Sequence, residues 1–414
     1  MADRVSARGR AWRAPRAFHA LRHRDFRLLW IGLLVSVAGT QMQNAAINWH
    51  TYEISGSALA LGGLGLARLA PIVVFSLLGG VVADTRNRRR VMLVTQSVMM
   101  CGAFVLGIVT WLGIVSLWWI YAMGALTAAA AAFDLPSRQS LTPNLVPRED
   151  LTNAITLSSM VFQIASIVGP GIAGVLIGQY GVGVIYWLNG ISYVALLVAL
   201  LLMQTATPPK LKASAANFQT MVEGMHYVFR ERIIFSTMLL DFFATFFSGA
   251  NTLLPIFATN ILHVGPEGFG ILAAAESLGS VVMGMLVSVR GDIRAKGAML
   301  LTGVAIYGMA TIGFGLSTIF ALSVLFLALV GVGDTLSTIL RSTIRQLVTP
   351  DELRGRMTSI NMIFFMGGPQ LGELEAGIAA ALLGAPLSVA LGGLATIGLV
   401  LVTAIKVPAL RNYR

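Results

Sequence analysis

The 414 residues are 56% hydrophobic and 11% charged, with a mean hydropathy of +0.79. A soluble domain this apolar would aggregate, so composition excludes one of any size. The net charge of +11 invites nucleic acid as a partner, but the basic residues are gathered at the ends of apolar runs, where they fix topology and meet anionic lipid head groups.

The chain opens on an arginine-rich arm, residues 1–26, that enters a full-length apolar run with no small-residue cleavage site. This predicts a retained arm rather than a removed leader. Apolar spans follow at 27–51, 58–82, 91–112, 117–136, 155–178 and 183–203. After a polar break at 207–232, opened by Thr207-Pro208-Pro209, six more run at 233–259, 267–289, 298–316, 319–340, 357–383 and 386–406. Runs of this length suit helices across a hydrocarbon core of ~30 Å. They are too long for barrel strands, and an open strand in lipid leaves its backbone unpaired.

Of the 29 Lys and Arg, 28 fall in seven clusters, and the turn between each pair of clusters carries none. Basic loops stay inside, so the pattern predicts twelve crossings of a bacterial inner membrane with both termini cytoplasmic. The exception is Arg68, within span two. The expected organisation is a cytoplasmic arm (1–26), a six-helix bundle (27–206), a cytoplasmic linker (207–232) and a second six-helix bundle with a short tail (233–414).

The halves repeat. Asp84 recurs as Asp292 after 208 residues, Leu145–Leu151 as Leu347–Leu353 after 202, Asp134 as Asp334 after 200, and Gly169-Pro170 as Gly368-Pro369 after 199. Four matches at nearly one offset mark a duplicated unit, the construction of transporters that rock about a central site.

Gly80-Val81-Val82-Ala83-Asp84-Thr85-Arg86-Asn87-Arg88-Arg89 resembles the loop signature of the major facilitator superfamily between spans two and three. Thr85 stands where a basic residue is usual and Asn87 where Gly is usual; Asn tolerates a left-handed turn. Phe26–Trp30, Ser55–Gly62 and Leu145–Leu151 are similar to the subgroup of enterobactin exporters and macrolide-efflux proteins. The resemblance implies an all-α fold of two pseudo-symmetric six-helix bundles, and a secondary exporter of a small amphipathic molecule, siderophore-like or drug-like. It implies no cofactor, a proton as coupling ion, and a monomer whose partners are substrate and lipid. It also implies a cytoplasmic gate at Gly80, Asp84, Arg88, Arg89, Asp134 and Asp334. Span four lacks the R-x-x-Q-G signature of many proton-driven drug exporters, and a lipid translocator or an importer of the same fold stays open. In span five, Gly169-Pro170-Gly171-Ile172-Ala173-Gly174 resembles an exporter motif or serves helix packing alone.

Ionisable residues inside a bilayer are costly and face cavities or one another. Here they are Arg68, Asp241, Glu276, Glu373 and Glu375, the candidates for substrate and proton coupling. Arg68 and Glu276 share the 208-residue offset, which places them at one depth as either a structural pair or a coupling site. Polar stripes at Gln41/Asn44/Asn48, Thr156/Ser159/Gln163/Ser166 and Asp241/Thr245/Ser248/Thr252 predict a wet cavity. Hydrolytic chemistry lacks its parts: no His sits mid-span beside a candidate nucleophile, and no metal or nucleotide motif occurs.

Overall fold

In lipid each backbone N–H and C=O must find a partner within its own segment, and the apolar runs do so as helices. The computed structural model describes residues 16–205, 225–247, 249–291, 293–350 and 353–413. A 3-10 helix, Arg16–Arg22, leads into α1 (Arg24–Ser55), α2 (Ala58–Thr85), α3 (Arg88–Trp111), α4 (Leu117–Leu141), α5 (Leu151–Tyr180) and α6 (Gly183–Leu202). The second half holds α7 (Arg232–Phe246), α8 (Ala250–Ile256) with a π turn over Phe257–Ile261, and α9 (Gly265–Arg290). Then come α10 (Lys296–Leu316), α11 (Phe320–Val348), α12 (Arg354–Leu383) and α13 (Ala385–Lys406).

Among the described residues ten segments have the length and hydropathy to cross a membrane, α7 and α8 counting as one. The more polar α1 and α12 match them in length, at 32 and 30 residues. The turns without basic residues share one face of the bundle. They are tight: Gly56 caps α1 at φ +59°, its N–H donating to Tyr52 O at 2.7 Å, and Gly181 ends α5 at φ +78°. Trp111 and Trp118 stand 80% exposed on this face, where amphipathic rings favour the membrane–water boundary. The arginine clusters occupy the opposite, basic face.

In the first half α1 packs on α5 and α6, α2 on α4, and α3 on α4 and α6. Six spans on, α7 packs on α12 and α13, α9 on α11, and α10 on α11 and α13. Each packing pair thus has its counterpart. Between halves the main contacts are α2 on α12 and α5 on α9, exchanged by the same pseudo-two-fold.

These seams lie towards the turn face. Gly62 meets Gly377 and Gly174 meets Gly270 backbone to backbone, Trp49 packs on Phe269 at 5.4 Å between ring centres, and Asn260 Nδ2 donates to Tyr52 Oη at 2.6 Å. One buried apolar cluster joins both halves there, with Ile47, Leu64 and Ile177 against Leu254, Phe257 and Phe269. Nearer the basic face the cores are separate: Phe26, Leu29, Met92 and Leu157 in one half, and Leu240, Leu300, Leu336 and Ile344 in the other. The halves are joined at the turn face and stand apart as cores at the basic face.

Three expectations need correction. Span ten does not stop at residue 340: α11 continues to Val348, so Arg341 and Arg345 lie inside a helix, 2% and 5% exposed, and are not loop charges. Span seven is not continuous, since α7 ends at Phe246 and α8 begins at Ala250. The break sits where Gly249 abuts Ala376 and Gly372, and it divides the polar stripe. Asn87 is not left-handed; at φ −66° it is the N-cap of α3, its side chain accepting from Arg90 N. The linker falls largely outside the described residues, and 225–230 is helical.

Candidate functional site

The α2–α12 seam brings together three residues from the two halves. Gly65 lets α12 approach so closely that a Cβ there would stand 2.6 Å from Glu373 Cβ and 2.7 Å from Gln370 O. Three residues on, the charge of Arg68 acts on Glu373 across the seam, although the two form no ion pair within 4 Å among the described residues. Its Nη2 is buried without a hydrogen-bond acceptor, and Gln370 Oε1, on the opposing helix, is buried without a donor. Across α2, Tyr121 of α4 donates to Ala60 O at 2.7 Å and braces the helix from behind. A buried guanidinium N–H and a buried amide oxygen, both unused, are costly unless another molecule or another conformation satisfies them.

Arg68 and Glu276 do not pair. Glu276 accepts instead from Asn251 Nδ2 of α8, within its own half. Equal offset placed the two at equal depth but could not fix azimuth: a helix advances about 100° per residue, and equivalent positions in two halves need not face each other. Glu375 does not join Glu373 either, since residues i and i+2 point to different helix faces.

Asp241 is not open to a cavity. It is 3% exposed and clamped between Arg341 Nη2 at 2.9 Å and Arg345 Nη1 at 3.7 Å. Arg345 also donates to Asn361 Oδ1 of α12 at 2.6 Å, and Arg341 reaches Asp334 at 3.8 Å. Asp334, expected at an inner helix end, lies mid-way along α11 and belongs to this network. Two acids and two bases from α7 and α11 therefore form a polar knot inside the second half, buried except at Asp334, whose side chain is 39% exposed. Sequence reading assigned both arginines to a loop. Their spacing held the missed signal, because 334, 341 and 345 (i, i+7, i+11) share one helical face.

The first half carries the equivalent of Asp334 without the arginines. Asp134 accepts from Thr95 Oγ1 at 2.9 Å and Gln96 Nε2 at 3.0 Å, and Ser36 of α1 donates to Gln96 at 3.2 Å. At the basic face, Arg88 donates to Ala83 O and Ser140 O, both at 3.3 Å, and Arg89 to Leu201 O at 2.9 Å. These are the C-terminal carbonyls of α2, α4 and α6, the negative ends of three helices. Both arginines tie the first half to itself in this structure. Gly80 faces open space, whereas Gly79 is the close approach, to Ala132 of α4. The side chain of Asp84 and residue Ser248 lie outside what the structure describes.

Of the cavity candidates, Gln41 donates to Ser166 Oγ at 2.8 Å and accepts from Asn44 at 3.1 Å, tying α1 to α5. Asn48 is half-buried, and Thr245 bonds back to Asp241 O beside Gly368. Gln163 is exposed together with Thr156 and Ser159 on one face of α5, nearer the basic end than the Gly174 seam.

This arrangement defines a multi-pass membrane transporter of the major facilitator fold: two repeats, seams that close one face, and buried charges at and beside them. The sequence profile of the transmembrane secretion effector family matches residues 16–413, and the chain belongs to that family. It is 26% identical over 397 residues to the enterobactin exporter EntS of Citrobacter koseri, covering 95% of this chain and 94% of that protein. It is 26% identical over 341 residues to enterobactin exporter EntS of Escherichia coli O81, covering 82% and 81%. Among solved structures, a bacterial homologue of the human lysosomal transporter Spinster, inward-facing and occupied, superposes with a TM-score of 0.74 at 14% identity, covering 94% of this chain and 98% of that one. A POT family transporter in complex with 5-aminolevulinic acid gives 0.72 at 12% identity, covering 94% and 96%.

Proposed function

We propose that this transporter is a proton-coupled exporter of a small amphipathic molecule, siderophore-like or drug-like, working by alternating access across a bacterial inner membrane. In this reading the basic face is cytoplasmic and the structure is inward-open. The arginine clusters, the tryptophans at the other face and the joined core there support that orientation. The secretion family and the exporter relatives support the direction.

The observation that carries the reading is the α2–α12 seam, where the Glu373 carboxylate lies over Gly65, one helical turn from Arg68, and two buried polar atoms are left unmatched. Alternating access requires this seam to part. Parting takes Arg68 away from Glu373, and a carboxylate separated from its cation in a low-dielectric site takes up a proton. Return of Arg68 releases it. In the inward-open state the unmatched Nη2 of Arg68 is the group that meets an acidic or hydroxyl-rich substrate. Parting of the seam lets that substrate go outward as Glu373 takes up a proton, so the two move in opposite directions. Gln163, Thr156 and Ser159 supply polar wall in the open vestibule.

Proteoliposomes with an imposed pH gradient test this, using a siderophore and macrolide panel. Glu373→Gln is expected to keep substrate binding and lose gradient-driven transport, whereas Arg68→Gln loses binding as well. Gradient-driven transport at the parent rate in Glu373→Gln would remove Glu373 from the coupling role.

A further inference from the structure

On the flank of the first half away from the seams, α2, α3 and α4 enclose a groove of about 490 Å³. That lies within the ~300–1,000 Å³ of small-ligand sites. Its walls are apolar, with Phe75 and Phe133 in contact at 5.8 Å between ring centres and Val91, Val94 and Leu126 alongside. Val94 is 64% exposed, so the groove opens sideways towards lipid. At one end the lining turns basic with Arg86 and Arg90, both exposed and neither meeting a carboxylate among the described residues.

Charge and length together identify an occupant. The first turn of α3 is Arg88-Arg89-Arg90 with no acid, although a helix N-terminus is the positive end of the dipole and favours anions. Arg88 and Arg89 are relieved by the helix-end carbonyls described above. Among the described residues Arg86 and Arg90 have no such relief, which leaves a positive site at the groove mouth. From Arg86 back to Phe75 is eleven residues of α2, about 16 Å at ~1.5 Å per residue. One leaflet of hydrocarbon is ~15 Å, half of the ~30 Å core. The groove is therefore one leaflet deep, with its cationic end at the level of the lipid phosphates.

We infer that the α2–α3–α4 groove is a binding site for one anionic phospholipid of the leaflet at the basic face, an acyl chain lying between Phe75 and Val94 and the phosphate held by Arg86 and Arg90. The site is separate from the α2–α12 seam and does not depend on the direction of transport or on its coupling. It does depend on the basic face being the level of a head-group layer, which the exposed tryptophans at the opposite face mark independently of the arginines.

Native mass spectrometry of the full chain, released from nanodiscs holding equal dioleoylphosphatidylglycerol and dioleoylphosphatidylethanolamine, tests the assignment. The parent protein should retain one phosphatidylglycerol in clear preference. Each arginine near a charged head group is worth about fivefold, so Arg86→Gln/Arg90→Gln should lower that preference about 25-fold. Val94→Trp fills the groove without touching charge, and should release the lipid whatever its head group. Should the double variant not fold, Arg90→Gln alone repeats the comparison at about fivefold. Equal retention of both lipids by the parent would show annular lipid only and overturn the proposal. So would undiminished preference in the arginine variants, or lipid still bound in Val94→Trp.

Discussion

Asp241→Asn is the sharpest test of the polar knot in the second half. The substitution keeps the shape of the side chain and removes one charge from a site where Asp241 is 3% and Arg341 2% exposed. Arg341 then keeps one carboxylate, Asp334, at 3.8 Å rather than 2.9 Å, with the neutral Thr338 hydroxyl at 2.8 Å, and Arg345 keeps the neutral Asn361. Breaking a buried pair on one side costs about 3–5 kcal/mol, because the surviving charge has lost its compensation, whereas replacing both partners is often close to neutral. Asp241→Asn should therefore unfold well below the parent in a thermal melt of the purified protein, and Asp241→Asn/Arg341→Gln should recover part of the loss. Only part returns, since Arg345 would still lack its carboxylate. Both variants at the parent melting temperature would show that the knot adds no stability, and the argument from burial and pairing would fail. A single variant that melts normally but cannot transport would move Asp241 from structure to mechanism.

Gly174→Val tests the α5–α9 seam: its Cβ alone would stand 2.8 Å from Gly270 Cα and 2.5 Å from Pro266 O. The variant should hold the turn face ajar, read as weaker oxidative cross-linking of a Tyr52→Cys/Asn260→Cys pair than in the parent; equal cross-linking would mean the seam absorbs the side chain. At the basic face, hydrogen bonds from His23 and His19 hold Asp150 below the usual carboxylate range, at 2.8 and 2.7 Å. A depressed carboxylate pKa contributes stability that is present above the unfolded value of ~3.9 and lost as pH falls through the lower folded value. Protection of the amides of residues 16–22, taken relative to exchange of the unfolded chain at the same pH, should thus hold down to about pH 4 and fall below it, and Asp150→Asn should lower it at neutral pH. Finally, single cysteines at Gly181, Gly265 and Ala385 in a Cys101→Ala background should react with an impermeant thiol reagent in spheroplasts, while those at Asn87, Gln139 and Ala295 should not; the reverse pattern would invert the proposed orientation.

The crossings and the duplication were legible because both rest on coarse, redundant signals: long apolar runs, and charges excluded from them. The same rule misread Arg341 and Arg345. A Lys or Arg at the end of an apolar run reads as loop, and nothing in hydropathy tells a solvated guanidinium from one folded back onto a buried Asp241. Periodicity could have, since Asp334, Arg341 and Arg345 return to one helical face. The Arg68–Glu276 expectation failed for a different reason. Internal symmetry preserves depth, but the partner of a side chain is fixed by rotation about the helix axis and by which helix the seam presents, here α12. The break in span seven had a local signal, the Ser248-Gly249 dipeptide, which the apolar length of the run outweighed; Gly249 is also where α12 comes close, at Gly372 and Ala376.

The two seams differ in kind from the cores that flank them. Within each half, Leu, Ile and Phe interlock as they do in any protein interior, and such surfaces separate only by dragging side chains out of their sockets. At two points where the halves face each other, Gly62 against Gly377 and Gly174 against Gly270, glycine meets glycine and the helices touch along nearly smooth backbone. Smooth surfaces can roll or slide without a rotamer changing. The rest of the line between the halves is not smooth: Ile47, Leu64 and Ile177 interlock with Leu254, Phe257 and Phe269, so parting the halves has to draw those side chains apart as well.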